Sequence, residues 1–383
     1  ISYNTIGTKT EDFIATNANL FLKPTTTADL TIDNITIKEI TEDTNLPRID
    51  YTGGEGHWLF EGQSTNLLPY SEDFSGYSKG SNTTLTYESD VVAPDGSLGV
   101  YRLQMPNLGS SFLSFGFLGS TSRNASIYVK SVNDGINNQF NINAIGISPN
   151  TLTATNDWQR FSRDFGSNQN YSVAINNGLD AYTTDVYIFG AQVEASSFAT
   201  SYIPTEGAIK TRLQDAAFGA GSSDLINSTE GVLYLEVSRF ANDILNTAIS
   251  INQSGNFSNS VSIRFRSTEN LIYGLIYSSG NISTLMQYTL SDDTQFNKIA
   301  ISYAENNFAL WVNGIEVLTD TSGNAPIGLN NLSFNLGTEP FYGKTKCVAV
   351  FKEALTNDEL ECLTGEGYET FNALALANNY TII

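Results

Sequence analysis

A polysaccharide hydrolase needs paired carboxylates, and a retaining one needs them about 5 Å apart. The nearest candidate for the Glu-x-Asp-x-x-Glu spacing this needs on one strand is Glu230 to Glu236, with no Asp between them. A Ser-His-Asp triad would have to use His57, the only histidine. His57 lies in Gly53-Gly54-Glu55-Gly56-His57-Trp58, a poor place for a rigid base. Two Cys and one His exclude cysteine-built zinc sites and multi-histidine metal sites. These residues point to a protein that is not an enzyme.

Binding is better provided for. A sugar ring has an apolar face and a polar edge, so its recognition needs aromatic platforms flanked by polar side chains. Trp158, Trp311, Tyr128, Tyr171, Tyr273 and Tyr277 are the available rings. Trp158, in Asp157-Trp158-Gln159-Arg160, reads as a core residue. Trp311 alternates with Leu310 and Val312, so it either stands exposed on one sheet face or buries against another sheet. Tyr273 and Tyr277 lie in residues 271–280, where Gly274 and Ser278-Ser279-Gly280 supply turn residues, and both read as loop-borne. Tyr273, Tyr277 and Trp311 are the candidate glycan contacts.

Composition narrows the partners. The 383 residues suggest two or three domains. The formal charge of −21 argues against nucleic acid, where Lys and Arg neutralise phosphates, and against anionic lipid surfaces. Charged residues are 15% of the chain, against about 25% in ordinary globular proteins, and Asn, Ser, Thr and Gly take their place. With 22 Phe, 19 Tyr and 3 Trp the chain can bury a sizeable core. No run of 18 apolar residues is present, so no membrane insertion is expected. The chain opens on Ile1, not Met, and reads as a fragment of a longer one.

The elements that must hold these residues are strands. Ala125-Ser126-Ile127-Tyr128-Val129-Lys130 and Lys298-Ile299-Ala300-Ile301-Ser302-Tyr303 alternate with period two. Asn313-Gly314, between two apolar runs, predicts a hairpin with a type I′ turn. One short helix is expected, with Thr356 as N-cap and Glu359 three residues on, followed by Leu360 and Leu363. Cys347 and Cys362 read as two free buried thiols. Residues 29–38 echo residues 185–194 in their apolar positions, as would two copies of one domain or two unrelated strands. The resulting division is a truncated β-domain at 1–40, a connector at 41–66, a β-sandwich at 67–195, a linker at 196–216, a second sandwich at 217–363 and a tail at 364–383.

Residues 59–74 read LFEGQSTNLLPYSEDF, and residues 190–205 read GAQVEASSFATSYIPT. Together they resemble the recurring boundaries of a β-domain in bacteriophage tail-fibre, spike and head-fibre proteins. The domain between them resembles carbohydrate-binding-module jelly rolls. Residues 298–317 read KIAISYAENNFALWVNGIEV, followed by Phe341-Tyr342-Gly343-Lys344 and by VFKEALTNDEL at 350–360. This pattern resembles the laminin-G or concanavalin A-like lectin sandwich.

The resemblance implies an all-β fold of tandem antiparallel β-sandwiches, a jelly roll and then a concanavalin A-like domain. It implies a virion fibre or spike protein, a homotrimer with other virion proteins as partners, that adheres to a bacterial surface polysaccharide. The alternative is a non-catalytic carbohydrate-binding region of a secreted polysaccharide-degrading enzyme. Carbohydrate-binding jelly rolls often hold a structural Ca²⁺, and here Glu72, Asp73 and Asp185 would be its ligands. Phe189 stands where the echo at Asp33 has a carboxylate. Asp320 and Asn324 form a second oxygen-rich stretch, which reads as a plain turn.

Overall fold

The structure, a computed structural model, describes residues 48–365 apart from 52, 53, 55, 118–122, 134, 145–149, 167–171, 178–181, 241–245 and 269. The suggested β-domain at 1–40, the first half of the echo, Tyr171 and nearly all of the tail lie outside the described residues.

Among the described residues the fold is all-β, with two antiparallel sandwiches and one helix. In the first sandwich, one sheet runs in the order Thr151–Thr153, Gln139–Ala144, Ser172–Asn176, Phe112–Phe117 and Ser78–Lys79. The other runs Gln159–Asp164, Asn124–Ser131, Thr184–Glu194, Leu98–Met105 and Thr84–Val92. The period-two pattern decides which way each residue points. Ile127, Val129, Val186 and Ile188 enter the core between the sheets with Leu103, Leu113, Phe140 and Ile175. Tyr128 and Tyr187 lie on the opposite face, packed with Phe189 and Trp158.

The second sandwich pairs a seven-stranded sheet with a five-stranded one. The larger runs Arg48–Asp50, His57–Phe60, Gly343–Phe351, Glu230–Ser238, Asn297–Ala304, Asn307–Val312 and Ile315–Asp320. The smaller runs Asn281–Thr289, Leu271–Ser278, Asn256–Phe265, Thr247–Gln253 and Asn331–Ser333. Ile249, Ile263, Ile272, Ile301 and Leu310 fill the space between them. Asn313 and Gly314 have φ of 48° and 85°, the two positive angles of a type I′ turn.

The helix Asn357–Thr364 carries the expected capping box at Thr356 and Glu359. It buries Leu360 and Leu363 on the outer face of the seven-stranded sheet, against Trp311, Tyr234 and Ala300.

The expected connector is in part a piece of the second sandwich. Its strands Arg48–Asp50 and His57–Phe60 form a hairpin that extends the seven-stranded sheet, with Trp58 opposite Thr345 and Phe60 opposite Gly343. Phe60 is fully buried and stacks on Phe334, ring centroids 4.2 Å apart. The second sandwich is therefore discontinuous in sequence, and the first is inserted into it. The insertion enters and leaves through a two-stranded ribbon, Ser64–Asn66 with Lys210–Arg212. No helix among the described residues is long and apolar enough to cross a membrane.

Candidate functional site

The two long boundary stretches, residues 59–74 and 190–205, meet at this junction. The Asn66 amide donates to the carbonyls of Ala191 and Ile203, and its oxygen accepts from the amides of Leu68 and Val193. Gln192 Oε1 accepts from Ile203 N at 2.7 Å. Glu194, fully buried, accepts from the hydroxyl of Ser64 and from the amide and hydroxyl of Thr200. Buried polar acceptors need this kind of saturation.

Beside it lies a four-charge cluster. Arg48 reaches Asp215 at 2.6 Å and Glu61 at 2.6 Å, and Arg212 reaches Glu61 at 3.1 Å and Asp215 at 3.5 Å. Burial works against the Arg48 charge, but the hydrogen bonds and charges of Asp215 and Glu61 outweigh it, and its pKa rises. Burial pulls Arg212 down, since its position adds less compensation. Glu61 N donates to Asp215 Oδ2 at 2.7 Å, and Asp215 N donates to Glu61 O at 2.8 Å. This fixes the chain at Asp215, and so the placing of Gln214 before it.

Gln214 forms one wall of a pocket of about 260 Å³ in the second sandwich. Asn246 and Tyr342 line it as well. The rest of the lining is the short hairpin of Asn335–Leu336 and Glu339–Pro340, contributed through Asn335, Gly337, Thr338 and Pro340. Gly337, at φ 63°, makes the tight turn between those strands. The Tyr342 hydroxyl donates to Gln214 Oε1 at 3.1 Å. Burial raises the Tyr342 pKa, so the phenol stays a neutral donor. Asn246 Oδ1 accepts from Ser267 N at 3.0 Å. Asn335 is held through its backbone carbonyl, which accepts from the Ser250 hydroxyl at 2.6 Å. Its side-chain Oδ1 is buried without a hydrogen-bond partner. A buried amide oxygen left in that state costs free energy until a donor arrives.

Next to the pocket stand two guanidiniums and one carboxylate. Arg264 makes a two-point ion pair with Glu339, at 2.8 and 2.5 Å. Arg266 lies 3.9 Å from the same carboxylate, and its guanidinium sits over the Tyr273 ring, 4.9 Å from the centroid.

The three aromatic candidates do not converge. Tyr273 and Tyr277 are on the strand Leu271–Ser278, not on a loop. The run LIYGLIYS fits a strand once Gly274 is seen as an inward position, where a Cβ would meet Ile301 and Leu310 at 3.1 and 3.3 Å. Tyr277 packs with Ala248, Leu275, Leu336 and Phe257. Trp311 is 5% exposed and lies under the helix, so it belongs to the core. Trp158 is half-buried, its indole donating to Val92 O at 2.8 Å.

The expected calcium ligands have other partners. Asp185 holds Arg102 at two points, 2.8 and 2.7 Å. Asp73 accepts from the Ser75 side chain, from Ser75 N and from the Tyr101 hydroxyl, and these bonds lower its pKa. Glu72 accepts from the Tyr202 hydroxyl at 2.8 Å. Among the described residues no group of three or more His, Cys, Asp or Glu is placed to hold a metal ion. Glu72, Asp73 and Asp185 thus do not fit a calcium cage, which needs six to eight converging oxygens. Asp320 caps its own turn through Ser322. His57 packs edge-on against Phe296. Glu236 faces Lys346 at 3.7 Å.

Gln214, Asn246, Asn335, Thr338 and Tyr342 carry no spacing that marks them as a group. Chain segments far apart in sequence bring them together. The one usable signal was the phrase Phe341-Tyr342-Gly343-Lys344.

Residues 239–361 match the sequence model of the concanavalin A-like lectin/glucanases superfamily. No curated protein matches the sequence. Among solved structures, the CBM40 module of the Ruminococcus gnavus IT-sialidase is similar at 17% identity and TM-score 0.30, covering 36% of this chain and 84% of that one. The leech intramolecular trans-sialidase is similar at 18% identity and TM-score 0.31, over 37% of this chain and 24% of that one. The heptameric SAP-like pentraxin of Limulus polyphemus stands at 10% identity and TM-score 0.31, over 40% and 78%. The second sandwich is a lectin-like β-sandwich.

Proposed function

We propose that this chain is a non-catalytic glycan-binding module whose second sandwich takes a sugar in the pocket between Gln214, Asn335 and Tyr342. The observation that carries the reading is the pocket itself. Five of its seven lining residues are uncharged polar side chains, and one buried amide oxygen among them lacks a donor. Concave sites with a few convergent polar groups are where small ligands bind.

We further propose that it serves as part of a bacteriophage fibre or spike that grips a bacterial surface polysaccharide. The boundary stretches and the acidic, sparsely charged composition support this. One small pocket binds weakly, and a homotrimeric fibre would raise avidity by presenting several at once.

A glycan array of bacterial polysaccharides, probed with the full chain and with its Tyr342→Ala variant, tests the reading. Binding to a defined glycan, lost in the variant, is expected. An array with no binding would overturn it. Light scattering on the same preparation reads the oligomeric state, and a monomer at micromolar concentration would sink the trimer.

A further inference from the structure

We infer that the ligand of this pocket is a single uncharged sugar ring, not a sialic or uronic acid; the inference rests on the glycan-binding reading above. Three observations bear on it.

Among the described residues that line the pocket there is no Lys, Arg or His. Its lining holds amides, a hydroxyl and a neutral phenol. Guanidiniums on adjoining segments are engaged elsewhere: Arg264 with Glu339 at two points, Arg212 with Glu61 and Asp215, and Arg266 over the Tyr273 ring. A carboxylate ligand would have to displace one of those partners, and recognition of a planar anion relies on such a two-point arginine contact.

One of the lining residues carries an unpaired acceptor. Asn335 Oδ1 has no donor. An incoming hydroxyl or acetamido N–H satisfies it, whereas an incoming carboxylate puts acceptor against acceptor. Amide side chains carry donor and acceptor together, as do the neighbouring hydroxyls of a neutral sugar. The whole chain carries −21, and an anionic ligand would approach against that field.

The third observation is size. At about 260 Å³ the pocket falls below the 300–1,000 Å³ usual for small-molecule sites. It suits one ring at a chain end or branch, and the rest of the polymer would stay outside.

Saturation-transfer NMR on the full chain tests this. The probes are glucose, galactose, mannose, rhamnose, N-acetylglucosamine and N-acetylgalactosamine, set against N-acetylneuraminic acid and glucuronic acid, all at millimolar concentration and physiological salt. At least one neutral sugar should show transfer and neither acid should. Gln214→Ala and Thr338→Ala, each checked for an unchanged melting curve, should raise the dissociation constant of that sugar at least fivefold. An acid that binds in place of the neutral sugars, and is lost in both variants, would overturn the inference and leave the glycan-binding reading standing. Neutral-sugar binding untouched by both variants would place the site elsewhere and overturn it too. No transfer from any sugar would overturn the inference and the reading together.

Discussion

Asp215 holds Arg48 at two points, Oδ1 to Nε at 3.0 Å and Oδ2 to Nη2 at 2.6 Å, across 167 residues of chain. The pair ties the start of the second sandwich to the segment that follows the inserted one. Its geometry is the planar, two-point kind that gives arginine its specificity. It also sets Asp215, hence Gln214, and hence a wall of the pocket.

Removing Arg48 should therefore be felt twice. Arg48→Ala leaves the buried Glu61 and the half-buried Asp215 with Arg212 as their one cationic partner, beside the amides of Ser201 and Glu61. The expected cost is about 2 kcal/mol, within the range for stranded buried polar partners. Sugar binding should weaken as Gln214 loses its fixed position. Chemical denaturation and a binding titration on the same variant read the two effects. Unchanged stability would mean that Arg212 suffices.

Tyr277→Ala should destabilise the second sandwich by about 2 kcal/mol, less than a fully buried aromatic because the ring is half-exposed. Tyr277→Phe should be near neutral. Urea unfolding decides it. If the alanine variant keeps full stability and loses sugar affinity, Tyr277 contacts ligand after all.

That residue also marks where sequence reading stopped. The strands, the Asn313-Gly314 hairpin and the Thr356 capping box were legible because each rests on local rules of period, turn and cap. Gly274 next to Tyr277 has the local signature of a turn, yet it is a small residue under Ile301 and Leu310. Alternation gives Trp311 two faces but not what covers each; the helix covers its face. The strand at Phe60 reads as a connector because pairing across some 280 residues leaves no local trace. The pocket was invisible for the same reason: Gln214 and Asn335 meet only through tertiary structure.

Trp311→Ala should cost roughly 3 kcal/mol or more, as large-to-small core changes do. Thr356→Ala should cost about 1 kcal/mol by uncapping the helix that covers it. Thermal unfolding monitored by tryptophan fluorescence checks both. A larger loss from Thr356→Ala than from Trp311→Ala would contradict this packing.

Cys347 gives a pH signature. Burial first, and the charge of Glu236 second, push its thiol up from 9.0 to about 12. The folded state favours the protonated thiol, so this contribution is complete below about pH 9 and is lost as pH rises toward 12. In a Cys362→Ser chain, a thiol reagent at pH 8.5 should label Cys347 slowly when folded and quickly in denaturant. Equal rates would place the thiol in solvent.

Ser64–Asn66 and Lys210–Arg212 lie side by side, so the inserted sandwich starts and finishes at neighbouring points. It hangs from its host like a plug-in cartridge, and replacing it need not redirect the chain on either side. A short turn joining residue 66 to residue 210 should leave a host that still closes around Phe60. A foreign β-domain with adjacent ends could be grafted at the same seam. The price is the hydrogen bonds that Asn66 and Glu194 make across that seam, so a graft that carries its own equivalents of Gln192, Glu194 and Thr200 should sit more rigidly than one that does not.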